Sequence, residues 1–203
     1  MLELVAHLRM PFPATQIEES WEAIVTSVQQ TRKLKLADIL YDFFESPEDP
    51  SGHPMTGLNH VAFYLGDYFK EGEVDRWHEF LMDSKEKGHL VSVDRGPSYI
   101  SPKYYGTPGW WFSVKGYDGF VIEMFCCRHY GPWIKLPPQI RQNLMSHKAI
   151  SINYKDQVWP TLKRFEKRNN IELIAFTQDD DMGHTYGHLR NNANHKVLEL
   201  VSV

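Results

Sequence analysis

Twice in 203 residues the chain runs strand, helix, strand, strand, strand. In the first pass "NHVAFYLGD" is an apolar strand. "EVDRWHEFLMDSKEKG" is then an amphipathic helix, with Val74, Trp77, Leu81 and Lys85 on one side and Gly88 as its stop. "HLVSVDRGPSYIS", "GWWFSVKG" and "GFVIEMFCC" supply three more strands. In the second pass "HKAISINYKD" is the strand, and Asp156 caps a helix with Pro160 in its first turn and Val158, Leu162 and Phe165 as its apolar side. "IELIAFTQ", "GHTYGHLRN" and "KVLELVSV" complete it. A repeat of element order confines the chain to an α+β fold of two βαβββ modules, at 58–127 and 146–203, joined by a linker at 128–145.

Residues 1–57 precede the repeat as an extension. "LELVAHLRM" has strand character, and Thr15 with Glu18 forms a capping box before Ile17, Trp21, Ile24 and Val28 at helical spacing. "LADILYDFFESPED" predicts a second short helix, stopped by Pro47 and Pro50, and 51–57 predicts a loop. In the linker, "QIRQNL" is a candidate for a short turn of helix.

Side chains alternate along a strand, so each strand can be divided into two faces. Val61, Phe63 and Leu65 oppose His60, Ala62 and Tyr64; Ile122 and Met124 oppose Val121, Glu123 and Phe125. In the second module Ile150 and Ile152 oppose His147, Ala149 and Ser151, and Leu198 and Leu200 oppose Val197, Glu199 and Val201. In all four strands the wholly apolar face suits helix packing, and the histidine or glutamate lies on the other. The small residues Ala62, Ala149 and Ser151 leave room over that second face. Two imidazoles and two carboxylates on one face suit Fe, Ni, Zn, Mn or Co as a divalent ion. Without a cation, two buried glutamates repel.

These residues resemble the vicinal oxygen chelate superfamily, which includes glyoxalase I, bleomycin-resistance proteins, methylmalonyl-CoA epimerase and extradiol dioxygenases. The resemblance covers about 58–203 and rests on "NHVAFYL", "GYDGFVIEMF", "SHKAISI" and "NHKVLELV". It implies a curved mixed sheet built from both modules, with a metal held by His60, Glu123, His147 and Glu199 and a coordination position open to substrate oxygens. It also implies an enzyme acting on a small oxygenated metabolite. The four-ligand members are isomerases, epimerases and lyases that work by metal-stabilised proton transfer, with Glu123 or Glu199 as the base. The dioxygenases use iron with two histidines and one glutamate, matching His60, His147 and Glu199. A metal-free binding or resistance protein of the same fold is the third reading.

His184, Tyr186 and His188 recur at every second residue and so share a strand face, as acid/base candidates. Tyr64, Phe125 and one of Trp110 and Trp111 are candidates for contact with substrate. His7 is a competing ligand if the first strand joins the sheet. No glycine-rich loop or arginine cluster marks a phosphate or thiol cofactor. A net charge of −4 with scattered Lys and Arg argues against a nucleic-acid surface. No run approaches a membrane span, and "MLELVAHLRM" lacks signal-peptide character. Two adjacent cysteines cannot staple a fold, so the expectation is a reduced, cytoplasmic protein. A homodimer, with or without exchanged modules, is open to it.

Overall fold

The computed structural model describes residues 16–203. The strand expected at 2–10, His7 and the Thr15 half of the capping box lie outside them. Six α-helices and eight strands are present among the described residues, with parallel and antiparallel pairing mixed. The order β1(Met55–Tyr68), α3(Glu71–Glu86), β2(Ser92–Pro97), β3(Gly109–Lys115), β4(Val121–Arg128) is one pass of βαβββ. β5(His147–Ile152), α6(Lys155–Glu166), β6(Ile171–Thr177), β7(Thr185–Asn191) and β8(Val197–Ser202) are the other. Helices α1(Ile17–Thr31) and α2(Leu36–Phe44) precede them, α4(Ile100–Tyr105) interrupts the first, and α5(Pro138–Met145) lies between the two.

Contacts divide the chain into two compact units. The first joins the described residues up to Arg32 with Ala62–Gln142, and the second joins Lys33–Val61 with Asn143–Val203. The chain passes from the second unit into the first inside β1.

In the first unit the strand order is β2-β3-β4-β1. Val74, Trp77 and Leu81 of α3 are buried, as are Phe112, Val114 and Met124 of the strands. Lys85 is exposed, contrary to its expected place on the apolar side of α3; Ser84 is buried there instead, its hydroxyl returned to the Phe80 carbonyl at 3.0 Å. Helix α1 belongs to this unit: Trp21 meets Phe80 edge to face at 6.4 Å, and Arg32 pairs with Asp118. A partly buried carboxylate ties the linker to β1. Asp67 accepts from the Tyr64 hydroxyl, from Trp133 Nε1 at 2.7 Å, from Arg141 and from His129 Nδ1 at 2.9 Å.

In the second unit β1 is followed by β5-β8-β7-β6. Ile150, Ile152, Leu189, Leu198 and Leu200 form one core with Val158, Leu162 and Phe165 of α6 and with Ile39, Leu40 and Phe43 of α2. The apolar faces read from alternation in β5 and β8 are thus the helix-packing faces. Helix α2 is part of this core, and its polar edge is tied down by Asp42, which holds Lys148 Nζ and Lys196 Nζ at 2.7 Å each.

Four local expectations are corrected. The stretch read as one strand from His89 to Ser101 ends at Pro97 and turns into α4. The Ser101 N–H is accepted by Ser98 Oγ, Pro102 sits in the first turn, and Gly106 (φ 65°) stops the helix. Helix α2 stops before either proline, because Glu45 takes the left-handed conformation at φ 55°. β1 starts at Met55 rather than in a loop to 57. In α6 the N-cap is Tyr154, which leaves Asp156 in the first turn and Pro160 inside the helix. Pro160 is exposed, so its ring lies on the solvent side, away from the core.

Candidate metal centre

The second unit gathers a carboxylate and three imidazoles. β5 and β8 run parallel with Ala149 opposite Glu199, and β7 runs antiparallel to β8 with His188 opposite Glu199. Alternation places His147, Ala149, Tyr186, His188 and Glu199 on the face away from α6. His60 reaches the same point from β1. Nε2 of His60 and Nε2 of His147 each lie 3.1 Å from one carboxylate oxygen, Glu199 Oε2, and Nε2 of His188 lies 3.4 Å from it. All four residues are buried, and their side chains are no more than 8% exposed. The His60 and His147 rings meet at 5.7 Å, and those of His147 and His188 at 5.2 Å.

A second layer sets the tautomer of His60. Asn59 Nδ2 donates to Ser151 Oγ at 2.9 Å, which leaves Asn59 Oδ1 as the acceptor for His60 Nδ1 at 3.0 Å. His60 therefore carries a proton on Nδ1 and turns Nε2 towards the carboxylate. Such a contact needs either a second ring proton or a cation between nitrogen and oxygen.

Burial works against charge on His147 and on Glu199, and the outcomes differ. Desolvation pulls His147 down to about 4, against the pull of Glu199 the other way, so its ring is neutral at physiological pH. Burial pushes the Glu199 carboxyl up, but His188, His60 and the hydrogen bond from His147 together hold it well below the usual carboxylate range. The cluster thus offers an anionic oxygen beside at least one neutral imidazole, which is the protonation state that metal ligands require.

The spacing fits a divalent ion. Bonds of about 2.0–2.1 Å to nitrogen and oxygen set neighbouring ligand atoms about 3.0 Å apart at right angles and about 3.4 Å apart at tetrahedral angles. The 3.1 Å distances from His60 Nε2 and His147 Nε2 to Oε2 fall between those two edges. Mixed imidazole and carboxylate donors suit Zn, Fe, Ni, Mn or Co.

The other candidates are placed as follows. Glu123 is half-buried on β4 in the first unit, opposite Ser113 of β3. Phe125 pairs with Trp111, so those two share the Glu123 face. Trp110 lies on the reverse face; its indole N–H donates to Glu71 at 2.9 Å, and the Arg95 guanidinium stacks on it at 4.3 Å. Tyr64 is buried, and Asp67 and Trp133 engage its hydroxyl. Burial drives the Tyr64 hydroxyl strongly towards the protonated form, ahead of the nearby Cys127 and Asp67. Tyr186 stands edge-on to His188 at 5.9 Å. His184 precedes β7, half-buried, with its N–H donated to Asp180 at 2.7 Å. Cys126 and Cys127 are free and buried, and burial pushes the Cys127 thiol up to about 12. The Glu199-facing position of His188 depends on the pairing of β7 with β8, and the Asn59–Ser151 contact joins residues 92 positions apart. The only local sign of the first was the every-second-residue spacing of His184, Tyr186 and His188, and the second had none.

No family model matches the sequence, and no curated protein matches it. Solved structures do. A glyoxalase I variant from Zea mays matches at 16% identity and a TM-score of 0.39, over 74% of this chain and 44% of that one. Methylmalonyl-CoA epimerase from Mycobacterium tuberculosis matches at 14% identity and a TM-score of 0.42, over 75% of this chain and 91% of that one. A 4-hydroxymandelate synthase variant from Streptomyces coelicolor matches at 11% identity and 0.42, over 73% and 49%. The chain spans less than half of the maize and Streptomyces chains it matches. No helix among the described residues is long and apolar enough to cross a membrane.

Proposed function

We propose that the chain is a divalent-metal enzyme of the vicinal oxygen chelate type, acting on a small oxygenated metabolite by proton transfer. The observation that carries this reading is the convergence of His60 Nε2, His147 Nε2 and Glu199 Oε2 at 3.1 Å from residues far apart in sequence. These three residues of the second unit would hold the ion. When bound, a divalent ion polarises a substrate oxygen and stabilises negative charge on it.

The chain's own groups divide the remaining work. Neutral His147 presents a lone pair, and Asn59 fixes the ring of His60. Glu199, the acid of this cluster, is one of the two carboxylates assigned as base. Ala149, directly beside Glu199, leaves that face open.

The test is elemental analysis of freshly purified protein, followed by proton NMR in D2O with 2-hydroxyketones and 2-methyl-branched thioesters. The expected result is roughly one transition ion per chain, lost in His147→Ala, with deuterium entering the carbon next to the carbonyl. Wild-type protein that binds no divalent ion refutes the reading. A second reading has its own observation: two histidines and one carboxylate are the donor set of non-haem Fe(II) oxygenases. Oxygen uptake on adding catechols to Fe(II)-loaded protein, without deuterium incorporation, would select it.

A further inference from the structure

His188 has no role in the donor set proposed above, yet it is as buried as the residues that do. Its Nε2 lies 3.4 Å from Glu199 Oε2. Its Nδ1 is buried and has no hydrogen-bond partner among the described residues. His60 is the mirror case, since its Nδ1 is anchored on Asn59 and its Nε2 is left to face the cluster. A ligating histidine almost always gives its second ring N–H to an acceptor. His60 meets that condition and His188 does not. An orphaned buried N–H is rarer and costlier than an orphaned lone pair. The ring proton of His188 therefore belongs on Nε2, directed at the carboxylate.

We infer that His188 is a positioning residue that donates Nε2–H to Glu199 Oε2 and holds that oxygen towards His60 and His147, without itself binding the ion. The inference rests on the metal reading for its purpose, but the tautomer stands apart from it. Register supports the role: His188 is the cross-strand partner of Glu199, so its ring reaches the carboxylate from the side of β7, while His147 approaches from β5 and His60 from β1. The assignment makes His188 a group acting through Glu199 rather than on substrate.

Two measurements test it. Long-range nitrogen–proton NMR of the metal-free protein, with His188 assigned through His188→Gln, should show the proton on Nε2; a proton on Nδ1 overturns the inference whatever the metal does. Co(II) titration and pulsed EPR of the Cu(II)-loaded protein address the role. His188→Leu should weaken Co(II) binding about 10–100-fold. His188→Gln, which restores a donor at similar reach, should recover affinity to within a few-fold. The count of coordinated imidazoles should be the same in all three proteins. A count that falls by one in His188→Gln makes the residue a ligand and overturns the inference. Unchanged affinity in His188→Leu overturns it as well. Should His188→Leu fail to fold, His188→Asn, with its shorter reach, replaces it in the titration and is expected to bind as weakly. Wild-type protein that binds neither ion removes the metal reading and the positioning role together, and the tautomer measurement separates that failure from an error in the ring's orientation.

Discussion

Gly187 lies between Tyr186 and His188 on β7 and faces helix α6, where a side chain has no room. A Cβ at that position would stand 2.4 Å from Leu162 Cδ1 and 3.0 Å from the Ala175 carbonyl oxygen. Leu162 is fully buried, so its methyl cannot swing into solvent. Gly187→Ala must therefore push α6 away or bow β7, an overpacking error of about 1–3 kcal/mol. For a chain of this size that is about 2–12 °C in melting temperature. Leu162→Ala alone should cost about 2–5 kcal/mol, as a buried leucine truncation. In the double variant the offending methyl is gone and alanine is the better strand residue by about 0.5–1 kcal/mol. The second substitution should then be close to neutral, with a coupling of about 1–2 kcal/mol, inside the range for residues in contact. Urea unfolding of the four proteins measures the cycle. If the two costs add to within about 0.5 kcal/mol, or Gly187→Ala alone is neutral, the contact does not explain the glycine.

Three further outcomes follow from named contacts. Asn59→Leu should weaken Co(II) binding about 10–100-fold by freeing the His60 ring, and Asn59→Asp, which keeps the acceptor, should recover most of it in the same titration. Asp67→Ala leaves the Arg141 guanidinium without its carboxylate and should cost about 3–5 kcal/mol in urea unfolding, with metal content unchanged. Asp42 is held below its ordinary 3.8 by Lys148 and then Lys196, despite the opposing effect of burial. A carboxylate depressed on folding stabilises fully above its unfolded value and loses that contribution as pH falls through its folded value. Stability measured downward from about pH 4 should therefore fall less steeply in Asp42→Asn than in the wild type.

Element order was legible because its signals are local. Alternation fixed which face of β5 and β8 meets α6, and Gly88 (φ 76°) ended α3 as expected. Where local signals competed, the reading failed. "YISPKYYG" is rich in strand-favouring aromatics, so the serine, proline and glycine that frame α4 were outweighed. Pro160 was expected in a first turn because the interior of a helix normally rejects proline; here its exposed position places the ring on the solvent side. Helix α2 joins the second unit's core through Ile39, Leu40 and Phe43, and Asp42 pins its edge to Lys148 and Lys196, partners so distant in sequence that no pattern within 36–44 announces them.

Alternation assigned His60, His147 and Glu199 each to the face of its own strand away from the helices, and the resemblance implied that they meet, whereas neither announced the contribution of β7. A slip of one residue in the pairing of β7 with β8 would turn His188 towards α6 and bring Gly187 or Leu189 opposite Glu199. Leu189 is fully buried in the α6 core, and Gly187 is the small residue that lets Leu162 approach. Together they hold the register from the helix side. The same packing that excludes a Cβ at 187 therefore fixes His188 beside Glu199. Gly187→Ala should thus disturb metal affinity in proportion to the strand displacement it causes, whereas Leu162→Ala, which relieves the pressure, should destabilise the fold while leaving affinity near the wild-type value. Equal loss of affinity in both would mean that the site follows overall stability rather than the register of β7.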